Sequence, residues 1–276
     1  MQSIEIKKKP APKAVDNTDW LKTVAIILVS VDHIGYFFIA DDQWWSTIGR
    51  LAAPVFFFLL GFSHSRRVPL NWIWLGIILT TLDSWNADWA WMAPNILLSL
   101  ALIRLARPYV HKLVQHRGWP ALALIASVLI LVLPVAGNLV EYGAEGWLWA
   151  LFGLCQRMYV DSRSGAGLVG TATDRAPDAR NLGSMRLLAC LVAAIIYIWQ
   201  EQMEFSFSQV HFITLIFGIG VLSLSLCLFL RGPSRIQPPQ PIVSTLHFIG
   251  RHTLEIYAIQ LAGFELIIKF IPSLAA

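Results

Sequence analysis

Long apolar runs separated by short polar loops fill most of this chain. Most of the runs approach the roughly 20 residues that a helix needs to cross a hydrocarbon core about 30 Å thick. The runs fall at about 20–39, 48–64, 70–83, 92–106, 119–136, 146–160, 185–200, 210–230 and 242–271. The pattern predicts an all-α, polytopic transmembrane helix bundle with about nine spans, within a range of about eight to ten.

The charge content supports a membrane protein with little room for anything else. Only 14% of the 276 residues are charged, whereas a soluble domain carries about 25%. We therefore expect a polar tail at 1–19 and one transmembrane domain at 20–276. The net charge of +4 does not predict nucleic-acid binding, because the basic residues lie in short loops between spans. The three cysteines lie inside apolar runs and predict small buried side chains, with no metal site.

The basic residues predict the orientation of the bundle. Apart from Arg50, Arg251 and Lys269, 18 of the 21 Lys and Arg residues fall in the tail and in alternate loops. The intervening loops hold acidic residues such as Asp41, Glu141 and Glu201. By the positive-inside rule the N-terminus is cytoplasmic. We read the first apolar run as a retained signal anchor, because it is longer than the apolar core of a signal peptide.

Three polar side chains are predicted to meet within the first two spans. Asp32 and His33 lie about 12 residues past Trp20, which is roughly 18 Å along a helix. Arg50 enters the second span from the outer side, at a similar depth. Charges at this depth usually face a bundle interior or a watery cavity. One reading is a structural ion pair between Asp32 and Arg50; another is a reactive site, because His33 suits proton transfer near neutral pH.

The last run carries a second group of polar residues. Arg251 and Glu255 share one helical face, and Glu255 lies about 13 residues past Ile242, or some 20 Å from the inner edge. A shared outer-facing site with His33 and an Arg251–Glu255 ion pair are both open. The run is interrupted at Arg251 and His252, which predicts a kink or an interfacial segment. Tyr257 adds a polar tip, and Asn95 in the fourth run either caps a helix or contacts a ligand.

Several of these residues lie in motifs that resemble a known family. Lys22 to Ala25 followed by Val31 to Ile34 resembles the opening of TraX proteins, "IKxxAxxxMxxDHxG". The stretch from Gly49 to Phe56, with Gly61 and Ser65-Arg66 beyond it, resembles their "GRxAFPxFxxxxG…SR" span. Asn95 to Leu97 and Tyr142-Gly143 fit weaker blocks. The stretch from Ile249 to Tyr257 resembles the "GRxSLxIYxxH" span of the wider membrane acyltransferase superfamily. The chain departs from these patterns at Ala53 and Gln260.

The resemblance implies a bacterial-type inner-membrane acetyltransferase whose transmembrane domain is acyltransferase-like. TraX-like proteins acetylate the N-terminus of conjugative pilin, and superfamily relatives acetylate sugars from acetyl-CoA. Acetyl-CoA would be the donor, and an amine or hydroxyl of a protein or glycan at the outer face would be the acceptor. His33 would act as general base or carry the acetyl group as the catalytic residue. Asp32 would tune His33 or pair with Arg50, and Arg50 would hold the pocket or stabilise the developing oxyanion. Asn95, Arg251, His252, Glu255 and Tyr257 would bind substrate, and Arg66 and Arg67 are candidates for the CoA phosphates.

Two other classes of protein fit the same residues. In a proton-coupled transporter or flippase the intramembrane charges would form a proton path. The chain lacks an evident inverted repeat or paired interrupted helices, which many transporters have. An accessory protein without its own activity is the third reading.

The distribution of basic residues generates a test of orientation. In a chain whose native cysteines are replaced by Ala, a cysteine placed at Asp41 should react with an impermeant thiol reagent added outside the cell. A cysteine placed at Arg175 should react only after the membrane is opened. The reverse pattern of labelling would contradict the predicted topology.

Overall fold

A computed structural model describes residues 14–39, 41–65, 67–89, 93–164 and 179–274. Within these ranges the chain is helical and contains no strand. The helices are α1 Asn17–Phe38, α2 Gln43–Gly49, α3 Ala52–Phe62, α4 Leu70–Asn86, α5 Ile96–Arg117, α6 Trp119–Leu139, α7 Gly143–Arg163, α8 Ala179–Phe205, α9 Gln209–Cys227, α10 Gln240–Arg251 and α11 Thr253–Phe270. Most of the predicted polar tail, Arg66, and the loop residues around Arg175 lie outside the described residues.

Five helical segments are long and apolar enough to cross a bilayer. They are Asn17–Phe38, Gln43–Phe62, Trp119–Leu139, Arg180–Phe205 and Gln209–Cys227. The chain is therefore an all-helical membrane protein, as its sequence predicts. The predicted count of about nine spans is not confirmed by this measure. One reason is length, since α4 has 17 residues; another is burial, since most of α7 packs inside the protein and needs less apolar surface.

The first helix begins with a capping box that fixes its start. The side chain of Asp16 accepts a hydrogen bond from the backbone N–H of Thr18 at 3.0 Å, and the carboxylate of Asp19 accepts one from the Asp16 N–H at 3.3 Å. These contacts satisfy backbone donors that the first turn leaves free. The helix then continues without a break to Phe38.

The second span is broken at Arg50, between α2 and α3. Pro54 has no backbone N–H, so it cannot bond to the carbonyl four residues earlier, which is that of Arg50. The hydroxyl of Tyr197 in α8 donates to this carbonyl instead, at 2.6 Å. The break therefore needs a partner from α8, and it places the Arg50 side chain inside the bundle.

The last apolar run is also divided, at His252 between α10 and α11. α10 packs beside the start of α1, where Asp19 Oδ2 lies 3.2 Å from His247 Nδ1. α11 runs parallel to α4: the Asn71 amide donates to Glu255 at 3.2 Å near the start of both helices, and Asn86 donates to Glu265 near their ends. The predicted interruption at Arg251 and His252 is confirmed.

Glycines allow α3 and α7 to pack with their backbones close together. A Cβ atom on Gly61 would collide with the carbonyl oxygen of Ala150, and one on Gly153 would collide with that of Phe58. Small residues at helix contacts are the usual means of close association inside membranes. The close packing of α3 against α7 thus holds the two helices together beside the break at Arg50.

This packing predicts a large difference between two glycine substitutions. Gly61→Ala should lower the free energy of unfolding by about 1–3 kcal/mol, the usual cost of overpacking. Gly220→Ala in α9 is the matched control, because no atom lies within 4 Å of its new Cβ. Thermal unfolding of both variants in detergent measures the difference. Equal stability of the two variants would contradict the close α3–α7 contact.

Candidate functional site

Arg50 is the centre of a buried cluster of charged and phenolic side chains. Its Nε lies 3.4 Å from Asp32 Oδ1 in α1 and 3.6 Å from Glu201 Oε2 in α8. Its Nη1 donates to the hydroxyl of Tyr142 at 3.1 Å, and its guanidinium carbon lies 4.2 Å from the centre of the Phe205 ring. The predicted meeting of Asp32 and Arg50 is confirmed, and two acids compensate one buried cation.

His33 points away from this cluster, toward α11. Its ring centre lies 5.5 Å from that of Tyr257 and 6.3 Å from that of Phe37. Its Nδ1 is buried and has no hydrogen-bond partner within the described residues. Asp32 therefore pairs with Arg50 and does not orient His33. Gly35, two residues further along α1, makes room for Trp45 of α2.

Asn95 joins the start of α5 to α11. Its side-chain oxygen accepts a hydrogen bond from the Leu97 N–H at 3.1 Å, which caps the helix. Its amide donates to the hydroxyl of Tyr257 at 3.2 Å. Its backbone N–H donates to Thr80 at 2.8 Å. The residue that was expected either to cap a helix or to contact a ligand thus caps α5 and positions Tyr257.

A cavity of about 300 Å³ opens beside His33 and Arg50, and we call it the acidic cavity. Its charged lining consists of six carboxylates and one cation. They are Asp32, Asp83, Glu141, Glu145, Glu204, Glu265 and Arg50. Asn95 and Tyr257 also line it. A cavity lined mainly by acidic side chains attracts cations and repels anions.

A second cavity of about 460 Å³ lies at the opposite end of the bundle, and we call it the basic cavity. Its charged lining consists of Lys22, Arg104, Arg231, Arg251 and one acid, Glu255. A narrow space of about 20 Å³ lies between the two cavities. Phe56, Leu100 and Leu254 line both this passage and the basic cavity. Asp32, His33, Glu141, Tyr142 and Tyr257 line both the passage and the acidic cavity.

The predicted residues of the last run divide between the two ends. Tyr257 lies beside His33, whereas Arg251 and Glu255 line the basic cavity. The prediction that Glu255 and His33 lie at the same depth is wrong. The depth of Glu255 was counted along one helix that includes α10, but the break at His252 separates α10 from α11. Arg251 and Glu255 form no ion pair among the described residues, since Glu255 accepts from Asn71. His252 lies against Phe248, with ring centres 4.9 Å apart.

Acidic side chains that the sequence pattern assigned to outer loops belong to the site. Glu201 is only 1% exposed, and the carboxylate of Glu141 accepts from the Ile96 N–H at 2.6 Å. Tyr142 has a left-handed backbone, with φ 57°, which few residues without special support adopt. Acidic residues in loops show no periodic pattern that would indicate burial. The "Tyr-Gly" block at 142–143 was therefore the only sequence feature that pointed to the segment before α7.

Metal ligands do not group together in the part of the chain that the structure describes. No set of three His, Cys, Asp or Glu side chains there is placed to hold a metal ion.

The family model described as TraX protein matches residues 17–222, which is more than half of the chain. The chain belongs to the TraX family. It is 28% identical over 184 residues to Protein TraX of Escherichia coli, covering 64% of this chain and 63% of that protein. The strain K12 Protein TraX is 26% identical over the same shares. Each match thus spans less than two thirds of the relative.

A more distant relative bears a different name. The chain is 33% identical over 105 residues to "Probable fimbrial assembly protein FimC, serogroup H1" of Dichelobacter nodosus, covering 31% of this chain and 43% of that protein. No solved structure matches this member of the TraX family. The wider acyltransferase superfamily remains a prediction from the motifs.

The charge cluster predicts an order of stabilities. Arg50→Met leaves Asp32 and Glu201 buried without their cation, so it should cost about 3–5 kcal/mol of stability. Adding Asp32→Asn and Glu201→Gln removes the uncompensated charges and should restore much of this loss.

Thermal unfolding of the purified chain in detergent measures both variants. Arg235→Met, at an exposed arginine in the loop before α10, is the control and should change little. A triple variant no more stable than Arg50→Met would contradict the compensation of charge.

Proposed function

We propose that this TraX-family protein is an integral membrane acetyltransferase with acetyl-CoA as its donor. The observation that carries the proposal is the place of His33, where the narrow passage meets the acidic cavity. A donor entering from the basic cavity and an acceptor entering from the acidic cavity would meet at this residue. The resemblance in the first two spans supports the same chemistry.

His33 acts as the general base in this proposal. An ammonium group drawn into the acidic cavity first loses a proton to an acidic side chain of that cavity. The neutral acceptor nitrogen then attacks the thioester carbonyl of acetyl-CoA, His33 takes a proton from that nitrogen, and the protonated His33 gives it to the departing thiolate of CoA. The new bond joins the acceptor nitrogen to the acetyl carbon, and the broken bond is the C–S bond. A histidine suits this step because its neutral form accepts a proton near physiological pH.

Arg50 and Asp32 hold the site in this proposal instead of reacting. Each Arg50 contact is to a neighbouring element: Asp32 in α1, Tyr142 before α7 and Glu201 in α8. A side chain with this many partners fixes the walls around His33. Asn95 positions Tyr257 in a similar way, through the hydrogen bond from its amide to the tyrosine hydroxyl.

The acceptor is an amine, and we assign it to the N-terminus of a pilin-type protein. The lining of the acidic cavity holds six acidic side chains and one cation, which would favour a protonated amine over a neutral hydroxyl. The name of one relative, a probable fimbrial assembly protein, agrees with an acceptor in surface filaments. The motif resemblance implies the same acceptor.

The proposed orientation puts the basic cavity toward the cytosol, where acetyl-CoA is made. The N-terminus is cytoplasmic and the acidic cavity faces outward, in the inner membrane. Helices α4, α5, α7 and α11 would cross along with the five apolar segments, giving about nine crossings. Their polar faces are accommodated because they line cavities or pack inside the protein.

His33→Ala tests the proposal. It should reduce transfer of labelled acetyl from acetyl-CoA to a peptide amine by at least about 100-fold, the usual contribution of a general base. Folding should be retained, because the ring makes only aromatic contacts among the described residues. His211→Ala, at the start of α9 near Trp44 and outside both cavities, is the matched control and should transfer normally.

Two other outcomes of this experiment would distinguish the proposed function from its alternatives. Near-normal transfer by His33→Ala would contradict the role of the residue. A folded wild-type chain that transfers no acetyl group to any amine, but moves protons across vesicles in a His33-dependent way, would establish the transporter reading in its place.

A further inference from the structure

The basic cavity has a chemistry that the site around His33 does not explain. Four cationic side chains line it, against one carboxylate. They come from four parts of the chain: Lys22 from α1, Arg104 from α5, Arg231 from the loop after α9, and Arg251 from the end of α10. A positive-inside distribution accounts for basic residues at this end of the bundle, but not for their convergence on one hollow.

The cations of this cavity are only partly satisfied by the protein. Lys22 Nζ donates to the carbonyl of Gly250 at 2.7 Å, and Arg104 Nε donates to that of Ser65 at 3.4 Å. Arg231 and Arg251 are exposed to the cavity mouth and have no carboxylate within 4 Å in the described part of the chain. Glu255, the one acid of the lining, accepts from Asn71.

Like charges brought together in a partly enclosed space repel one another unless an anion joins them. Lys22 lines this cavity together with Arg104 and Arg231, and with the single carboxylate of Glu255. Guanidinium groups bind phosphate through paired hydrogen bonds. Trp72 offers an aromatic surface in the same lining, with the Arg104 guanidinium carbon 4.7 Å from its ring centre. Phosphate and a planar base are the ligand groups that this set of residues recognises best.

The wall of the basic cavity leads toward His33 through apolar side chains. Phe56, Leu100 and Leu254 form the boundary with the passage. Along α1, the distance from Lys22 to His33 is 11 residues, or about 16 Å of helix rise. A slender, largely uncharged chain of that length would join a phosphate group at Lys22 to a reacting group at His33. The pantetheine arm of coenzyme A has this character.

We propose that the basic cavity binds the adenosine 3′,5′-bisphosphate end of the acyl-CoA donor, and that the Phe56–Leu100–Leu254 boundary admits its pantetheine arm. The inference rests on the proposed donor and adds the residues that select it. Lys22, Arg104, Arg231 and Arg251 bind the phosphates, and Trp72 contacts the adenine. The apolar boundary excludes the charged end of the donor from the acidic cavity.

Calorimetric binding of adenosine 3′,5′-bisphosphate to the full chain in detergent tests the phosphate site. The double variant Arg104→Gln/Arg231→Gln should weaken binding at least about tenfold, because hydrogen bonds to charged groups are lost. Lys112→Gln/Arg117→Gln is the matched control: it removes the same charge from exposed positions at the same end of the bundle, and its binding should be normal. Equal effects of the two double variants, or no effect of either, would overturn the proposal.

Leu254→Trp tests the boundary separately. The larger side chain should reduce acetyl transfer at least about tenfold while leaving the binding of adenosine 3′,5′-bisphosphate unchanged. Loss of both would show that the substitution acts on the cavity itself and would overturn the assigned passage, as would normal transfer.

A further comparison separates this inference from the proposed function. His33→Ala should bind adenosine 3′,5′-bisphosphate as the wild type does. If the wild-type chain binds adenosine 3′,5′-bisphosphate but transfers no acetyl group, the proposed function is contradicted and the phosphate site is supported. If acetyl transfer is insensitive to Arg104→Gln/Arg231→Gln, the proposed function is supported and the phosphate site is contradicted.

Discussion

The buried charge of Arg50 is the constraint on which the rest of this structure depends. A guanidinium inside a membrane protein is expensive unless acids and hydrogen bonds compensate it. Arg50 meets that requirement only when α1, α8 and the segment before α7 converge on the broken second span. The break itself needs Tyr197 of α8 to accommodate the carbonyl that Pro54 leaves free. One residue thus couples the backbone break to the arrangement of three neighbouring elements.

The two cavities have linings of opposite charge, and they lie at opposite ends of the helix bundle. Cations line the hollow at the end where α1 begins, and carboxylates line the hollow at the end where it finishes. The apolar boundary between them keeps either field from being neutralised by the other. The proposed anionic donor and cationic acceptor would each be drawn toward a different end, so the polarity alone would separate the two proposed substrates until they meet at the passage.

Sequence reasoning predicted the contacts that are close along the chain and failed for those that are not. Asp32 and Arg50 are joined by one short loop, so equal depth was enough to pair them. Tyr197 and Glu201 reach the same cluster from α8, about 150 residues away, and no spacing rule connects them. Glu255 was misplaced because counting depth assumed an unbroken helix, whereas Arg251 and His252 end α10 and a new helix begins at Thr253.

The adjacency of Asp32 and His33 explains how one turn of α1 serves both the structure and the proposed chemistry. Successive residues on a helix point about 100° apart. Asp32 therefore faces Arg50 and the backbone of Gly49, where a Cβ atom would collide with it, while His33 faces Tyr257 and the cavities. The ion pair fixes the rotation of α1 about its axis, and that rotation aims the imidazole. Asp32 faces Arg50 and His33 faces Tyr257, so the positioning acts through the helix instead of through a hydrogen bond between the two side chains.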